Sequence, residues 1–252
     1  MESKRAFTLV EMLVVIAIIA ILAALLMPSL FKAKGQAKRT TCLDNLHQIS
    51  VAIQLYAGAN GDFLPSEPDT YAHVHHPGTN DFPLFYKSLV KTYVGLQGPS
   101  SPQDKLFACP ADTFFYYPDD FDYTNLGLHE SPSSDYSSYG YNGLGGSTNE
   151  PPAIPSQTNP TGLFGWKLAA IGNPTKTLLL ADYPAFWPFS WHDPQPGSGE
   201  TYFPMEFSNA MNMVSFADGH SSYTKIYWNP DIYFSTCLYD PPAGYDYKWS
   251  GN

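Results

Sequence analysis

Residues 7–27, FTLVEMLVVIAIIAILAALLM, hold only two polar positions, Thr8 and Glu11. As a helix rising 1.5 Å per residue, such a run is about 31 Å long, close to the roughly 30 Å of bilayer hydrocarbon. A soluble helix of this length keeps one polar face, so the run predicts a membrane span. A secretory signal fits less well, because its apolar core is about 7–15 residues long and is followed by a small-residue cleavage site. Further on the pattern changes. Cys42, Leu46, Ile49, Ile53 and Tyr56 recur at steps of 4 and 3, with Asp44, Asn45, Gln48 and Gln54 between them. That spacing predicts an amphipathic helix over 32–57 with one packed stripe. Gly58 and the pair Asn60 and Gly61 supply the stop, since both can take positive φ past a helix end. One helix from about residue 7 to about residue 58 is expected, lipid-facing first and core-facing later.

Past Gly61 the helical rhythm returns only over 84–94. Residues 62–160 are otherwise dense in Pro, Gly, Ser, Asp and Tyr, which predicts ordered loops with short strands, one of them at 138–142. TLLLA at 177–181 reads as a short buried strand. NMVSFA at 212–217 and HSSYTKIY at 220–227 flank Asp218 and Gly219, a hairpin signal whose type I′ turn would need positive φ at both positions. The fold class expected is α+β: a long N-terminal helix packed on an antiparallel sheet, with long ordered loops in residues 59–252.

Composition sharpens this picture in one respect. The chain of 252 residues carries a net charge of −10, but residues 1–40 hold Lys4, Arg5, Lys32, Lys34, Lys38 and Arg39 against Glu2 and Glu11, a net of +4 that leaves −14 for the rest. A domain so acidic repels phosphate backbones, which argues against nucleic acid as a partner.

The order of residues at the start carries more. Lys4 and Arg5, then the small Ala6, then FTLVE ending at Glu11, resembles the cleavage and methylation segment of type IV prepilins and type II secretion pseudopilins. The resemblance implies a leader of residues 1–6, cleavage after Ala6 by prepilin peptidase, methylation of the new amine of Phe7, and assembly through Glu11. The family usually has glycine before the cut, where this chain has Ala6. Pro28 matches a proline at which many type IV pilins let the helix bend. CLDNL (42–46), AGANGDFLP (57–65), FACPAD (107–112), YGYN (139–142), NPTKTL (173–178) and FADGH (216–220) resemble large pilin-like proteins with a His-x9-Asp-Gly signature, although Ser208 stands where that histidine would be. Two basic residues precede the span and four follow it, so a positive-inside tally puts the C-terminal part in the cytoplasm. The resemblance places it in the periplasm, and a continuing helix can carry the later basic residues on its polar face.

The resemblance also favours a disulfide between Cys42 and Cys109, both in family-like segments, over pairing of Cys109 with Cys237 or three reduced thiols. For chemistry, His73, His75 and His76, with His192, His220, Asp182 and Asp218, are the candidates for a metal or an active site. They form no paired zinc motif, and the chain has no Gly-x-Ser-x-Gly, phosphate loop or dinucleotide fingerprint. DDFDYTN (119–125) groups hard oxygens in a way that could hold calcium, without EF-hand spacing. The reading is therefore a non-enzymatic filament subunit with no required cofactor. Its partners would be other pilin-like subunits, prepilin peptidase, an inner-membrane assembly platform and lipid. The alternative is a membrane-anchored extracytoplasmic module that binds a ligand such as a glycan.

Overall fold

The computed structural model describes residues 8–66, 85–99, 101, 104–112, 115–116, 123–124, 137–142, 162–186, 189–194, 209–227 and 240–251. The cleavage residues Ala6 and Phe7, the histidines at 73–76, most of the acidic loop at 119–125, Ser208 and Cys237 lie outside them.

Helix α1, Leu9–Ala59, is continuous. Thr8 is its N-cap: Glu11 N–H donates to Thr8 Oγ1 at 3.2 Å, while Thr8 N–H reaches back to Glu11 Oε2 at 2.8 Å. This reciprocal pair is a capping box, which satisfies helix-start donors that have no partner inside the helix. The helix ends at the Asn60 C-cap, followed by Gly61 at φ 68° and Asp62 at φ 72°. Asp62 tolerates that conformation because its N–H bonds Ala57 O at 2.8 Å and its carboxylate accepts the Ala169 N–H at 3.0 Å.

Short helix α2, Phe85–Val90, continues into a 3-10 turn, Lys91–Val94, matching the rhythm over 84–94. Two strands, β1 (Phe115–Tyr116) and β2 (Tyr123–Thr124), form an antiparallel pair. The main sheet is antiparallel in the order β3 (Tyr139–Tyr141), β4 (Leu178–Asp182), β5 (Ala210–Phe216) and β6 (Ser221–Ile226). β4 is buried at all five positions because it is covered on both faces. Leu179 and Leu180 join Leu46, Ile49 and Ile53 in the core under α1, while Leu178 and Ala181 meet Val214, Phe216, Ile226, Tyr247 and Trp249 on the other side. The C-terminal segment is held there by Asn142, whose amide donates to Leu178 O and Trp249 O.

The turn between β5 and β6 departs from expectation. Positive φ occurs at Gly219 (96°) but not at Asp218. Gly219 N–H donates to Phe216 O, and Phe216 N–H to His220 O, both at 2.9 Å. The loop is thus three residues, Ala217, Asp218 and Gly219, with one left-handed glycine rather than a two-residue type I′ turn. Phe216 must face the second core, and that requirement fixes a register in which it opposes His220.

Candidate functional site

The two halves of α1 live in different surroundings. None of residues 9–37 is buried, and their large apolar side chains, from Leu9 to Phe31, are 46% to 80% exposed. At 1.5 Å per residue this free stretch is about 43 Å long, enough to cross a bilayer and still stand clear of the domain. It is the one helix among the described residues long and apolar enough to do so. Packing begins only at Lys38 and Arg39, later than the expected start of the amphipathic half at residue 32.

Glu11 is exposed near the tip of the free half, and its carboxylate accepts from both the Thr8 N–H and the Thr8 hydroxyl, the latter at 2.7 Å. The threonine at N-cap with glutamate three residues on is a capping signature readable in the sequence itself. Pro28 lies inside α1. It removes one backbone donor and leaves the carbonyl four residues back without its helical partner, while the helix continues through it.

The packed half grips the hairpin. Gln54 Nε2 donates to Ala217 O at 3.2 Å and His47 Nδ1 to Gly219 O at 2.9 Å, so the turn residues Asp218 and Gly219 are held against α1. Asn45 is buried and donates to Ala108 O and to the Tyr139 hydroxyl, both at 3.1 Å. Cys42 and Cys109 form a disulfide with Cα atoms 5.4 Å apart, tying α1 to the loop after the 3-10 turn Lys105–Phe107. Arg39 donates to His192 O at 2.8 Å and lies 4.8 Å from the Tyr223 ring centre.

Of the candidate chemical residues, Asp218 and His220 pair with each other at 2.6 Å at the surface. Asp182 and His192 are instead brought together beside the disulfide, their carboxylate and imidazole 3.6 Å apart with side chains 0% and 1% exposed. Burial, with Arg39 and Lys38 nearby, pushes His192 down to about 4, and burial reinforced by the charge of Asp112 raises Asp182 well above the carboxylate range. Burial thus disfavours the charged form of both groups. A separate cleft of about 570 Å³ runs beside β6, lined in part by Phe216, His220, Tyr223 and Tyr245.

A free apolar helix continued into a sheet-bearing domain defines a membrane-anchored α+β protein of pilin-like architecture. Residues 1–27 match the prokaryotic N-terminal methylation motif. The chain is 31% identical over 85 residues to type II secretion system core protein G of Klebsiella michiganensis, covering 34% of this chain and 60% of that one. It is 37% identical over 67 residues to the type IV wide pilus major component PilA4 of Thermus thermophilus, covering 27% and 51%. The core protein G of Pseudomonas aeruginosa is 34% identical over 82 residues, covering 32% and 58%. The chain therefore spans roughly half to three-fifths of the length of these curated relatives. No solved structure matches it significantly. The matched motif and these relatives support a likeness of the chain to type IV pilins and type II secretion pseudopilins. Its relatives are named as secretion-system or pilus components rather than as enzymes, in keeping with the non-enzymatic reading.

Proposed function

We propose that the chain is a structural subunit of a type II secretion pseudopilus or a type IV pilus-related filament. The observation that carries this reading is the free half of α1, an apolar rod with one carboxylate at its tip, joined to a prepilin-type methylation motif. In this reading prepilin peptidase cuts between Ala6 and Phe7 and methylates the Phe7 amine. Residues 7–27 span the inner membrane with residues 59–252 in the periplasm, and the assembly platform draws the subunit into a helical filament beside other pilin-like subunits. The bilayer half of α1 exchanges lipid for neighbouring helices, with Pro28 as the point where it can bend. A carboxylate at membrane depth is costly, up to about 2.5–3.5 kcal/mol near the centre, so Glu11 favours the register in which it meets a neighbour's amine.

The capping box supplies the competing explanation, and two substitutions separate them. Glu11→Leu removes both the charge and the cap; Glu11→Gln keeps a capping side chain and removes only the charge. Both variants are expected to insert and to be cleaved to a methylated Phe7, read from the N-terminal mass, and both to fall at least tenfold in filament incorporation. Normal incorporation of Glu11→Gln would mean that Glu11 acts as a helix cap and not as the assembly charge.

A further inference from the structure

Four side chains from four separate parts of the chain converge beside the docked half of α1. They are Cys42 on α1, Cys109 after the 3-10 turn, Asp182 at the end of β4, and His192 beyond it; their donor atoms all lie within 4.8 Å of one another. Cys109 Sγ is 3.3 Å from His192 Nε2, which is 3.6 Å from Asp182 Oδ2. A tetrahedral ion bound by sulfur, nitrogen and oxygen at about 2.0–2.3 Å holds its ligands about 3.3–3.8 Å apart, and the 3.3 and 3.6 Å separations fall in that range. The supporting groups are already in place. Met213 N–H fixes Asp182 Oδ2 at 3.1 Å, leaving the buried Oδ1 with no hydrogen-bond partner. Arg39 holds His192 O at 2.8 Å, and Ser190 Oγ accepts the His192 N–H at 3.1 Å. The Met213 bond orients the Asp182 carboxylate, the other two fix the main chain that carries His192, and the Arg39 cation offsets the surplus negative charge of two thiolates and a carboxylate around a divalent ion.

We propose that, when the disulfide is reduced, Cys42, Cys109, Asp182 and His192 bind one zinc-class divalent ion, so that α1 is stapled to the sheet either by a sulfur–sulfur bond or by a metal. Thiolate and imidazole ligands select such an ion over calcium or magnesium. The exchange balances. A phosphine reductant takes oxygen from water to become phosphine oxide, and the protons of that water go to the two sulfurs as thiols. The ion then displaces the two thiol protons and the carboxyl proton into solution. In the cell a dithiol would serve, leaving as its own disulfide.

The test uses the full chain in detergent, reduced with a phosphine that is then removed under argon, and titrated with cobalt(II) as a spectroscopic stand-in for zinc. Reduced protein should take up one cobalt per chain with a thiolate-to-cobalt charge-transfer band and the visible bands of tetrahedral cobalt, and added zinc should bleach both. Unreduced protein should show neither band. Asp182→Asn and His192→Gln should each weaken uptake at least tenfold. Substituting His73, His75 and His76 by alanine should leave it unchanged. A reduced wild-type chain without the thiolate band overturns the site, whatever the variants do. So does a band that survives Cys42→Ser with Cys109→Ser, or one that is lost with the three histidines.

Discussion

A Cβ added at Gly219, where φ is 96°, would lie 2.8 Å from Gln54 Nε2. Backbone strain of about 1–2 kcal/mol therefore combines with displacement of the amide that holds the turn to α1. Gly219→Val should lower the unfolding free energy of the domain by about 2–3 kcal/mol, read from denaturant unfolding in detergent; an unchanged midpoint would remove the turn assignment. Asp104 makes a second test at this scale. Its carboxylate lies 2.8 Å from Lys91 Nζ and 3.5 Å from Lys87 Nζ, both lysines almost wholly buried. Burial pushes its pKa up, but the Lys91 and Ser101 hydrogen bonds and the lysine charges outweigh it, and the net shift is downward. A carboxylate with a lowered pKa in the folded state stabilises above its unfolded value of about 3.9, and that stabilisation is lost as pH falls through the folded value. Wild type should thus lose stability on acidification below about pH 4. Asp104→Asn should lack this part of the acid loss and be less stable at pH 7 by about 3–5 kcal/mol, since two buried ammoniums lose their carboxylate. Nothing in the local sequence marks Lys87 and Lys91 as buried; loop closure over them decided it.

At the scale of the element, α1 offers the same chemistry in two settings. Ile49 is fully buried against the sheet, while Ile16 is 61% exposed in the free half. Ile49→Ala should cost about 2–5 kcal/mol of domain stability, and Ile16→Ala nothing measurable in detergent. Equal effects would mean that the free half packs on the domain. The spacing of Cys42, Leu46, Ile49 and Ile53 made this stripe legible, because a helix repeats every 3.6 residues whatever covers it. The buried Ala57 beside the half-buried Tyr56 shows where the stripe turns. The Asp218 and Gly219 pair likewise announced a hairpin, but its loop length was set by the need of Phe216 to face inward, a demand of the opposite layer.

Across the whole molecule, the Cys42–Cys109 bridge closes a loop with a sequence separation of 67. Restricting a loop of that size in the unfolded chain is worth about 4.4 kcal/mol on the entropic model. Cys109→Ser, in metal-free buffer, should lower the unfolding free energy by about that amount, while non-reduced peptide maps of wild type should contain Cys42 joined to Cys109. Free thiols at both positions in exported protein would contradict the bridge. The sequence alone determined a helix of two characters, an apolar span with one carboxylate near its start, and a domain of strands and loops, because periodicity and composition act along the chain and need no partner. Only the tertiary structure decided that β4 is covered on both faces, that Asn45 reaches Tyr139, and that Asp182 and His192 meet beside the bridged cysteines. Those pairings join residues tens of positions apart, and they follow from layers closing on a shared core rather than from any local pattern.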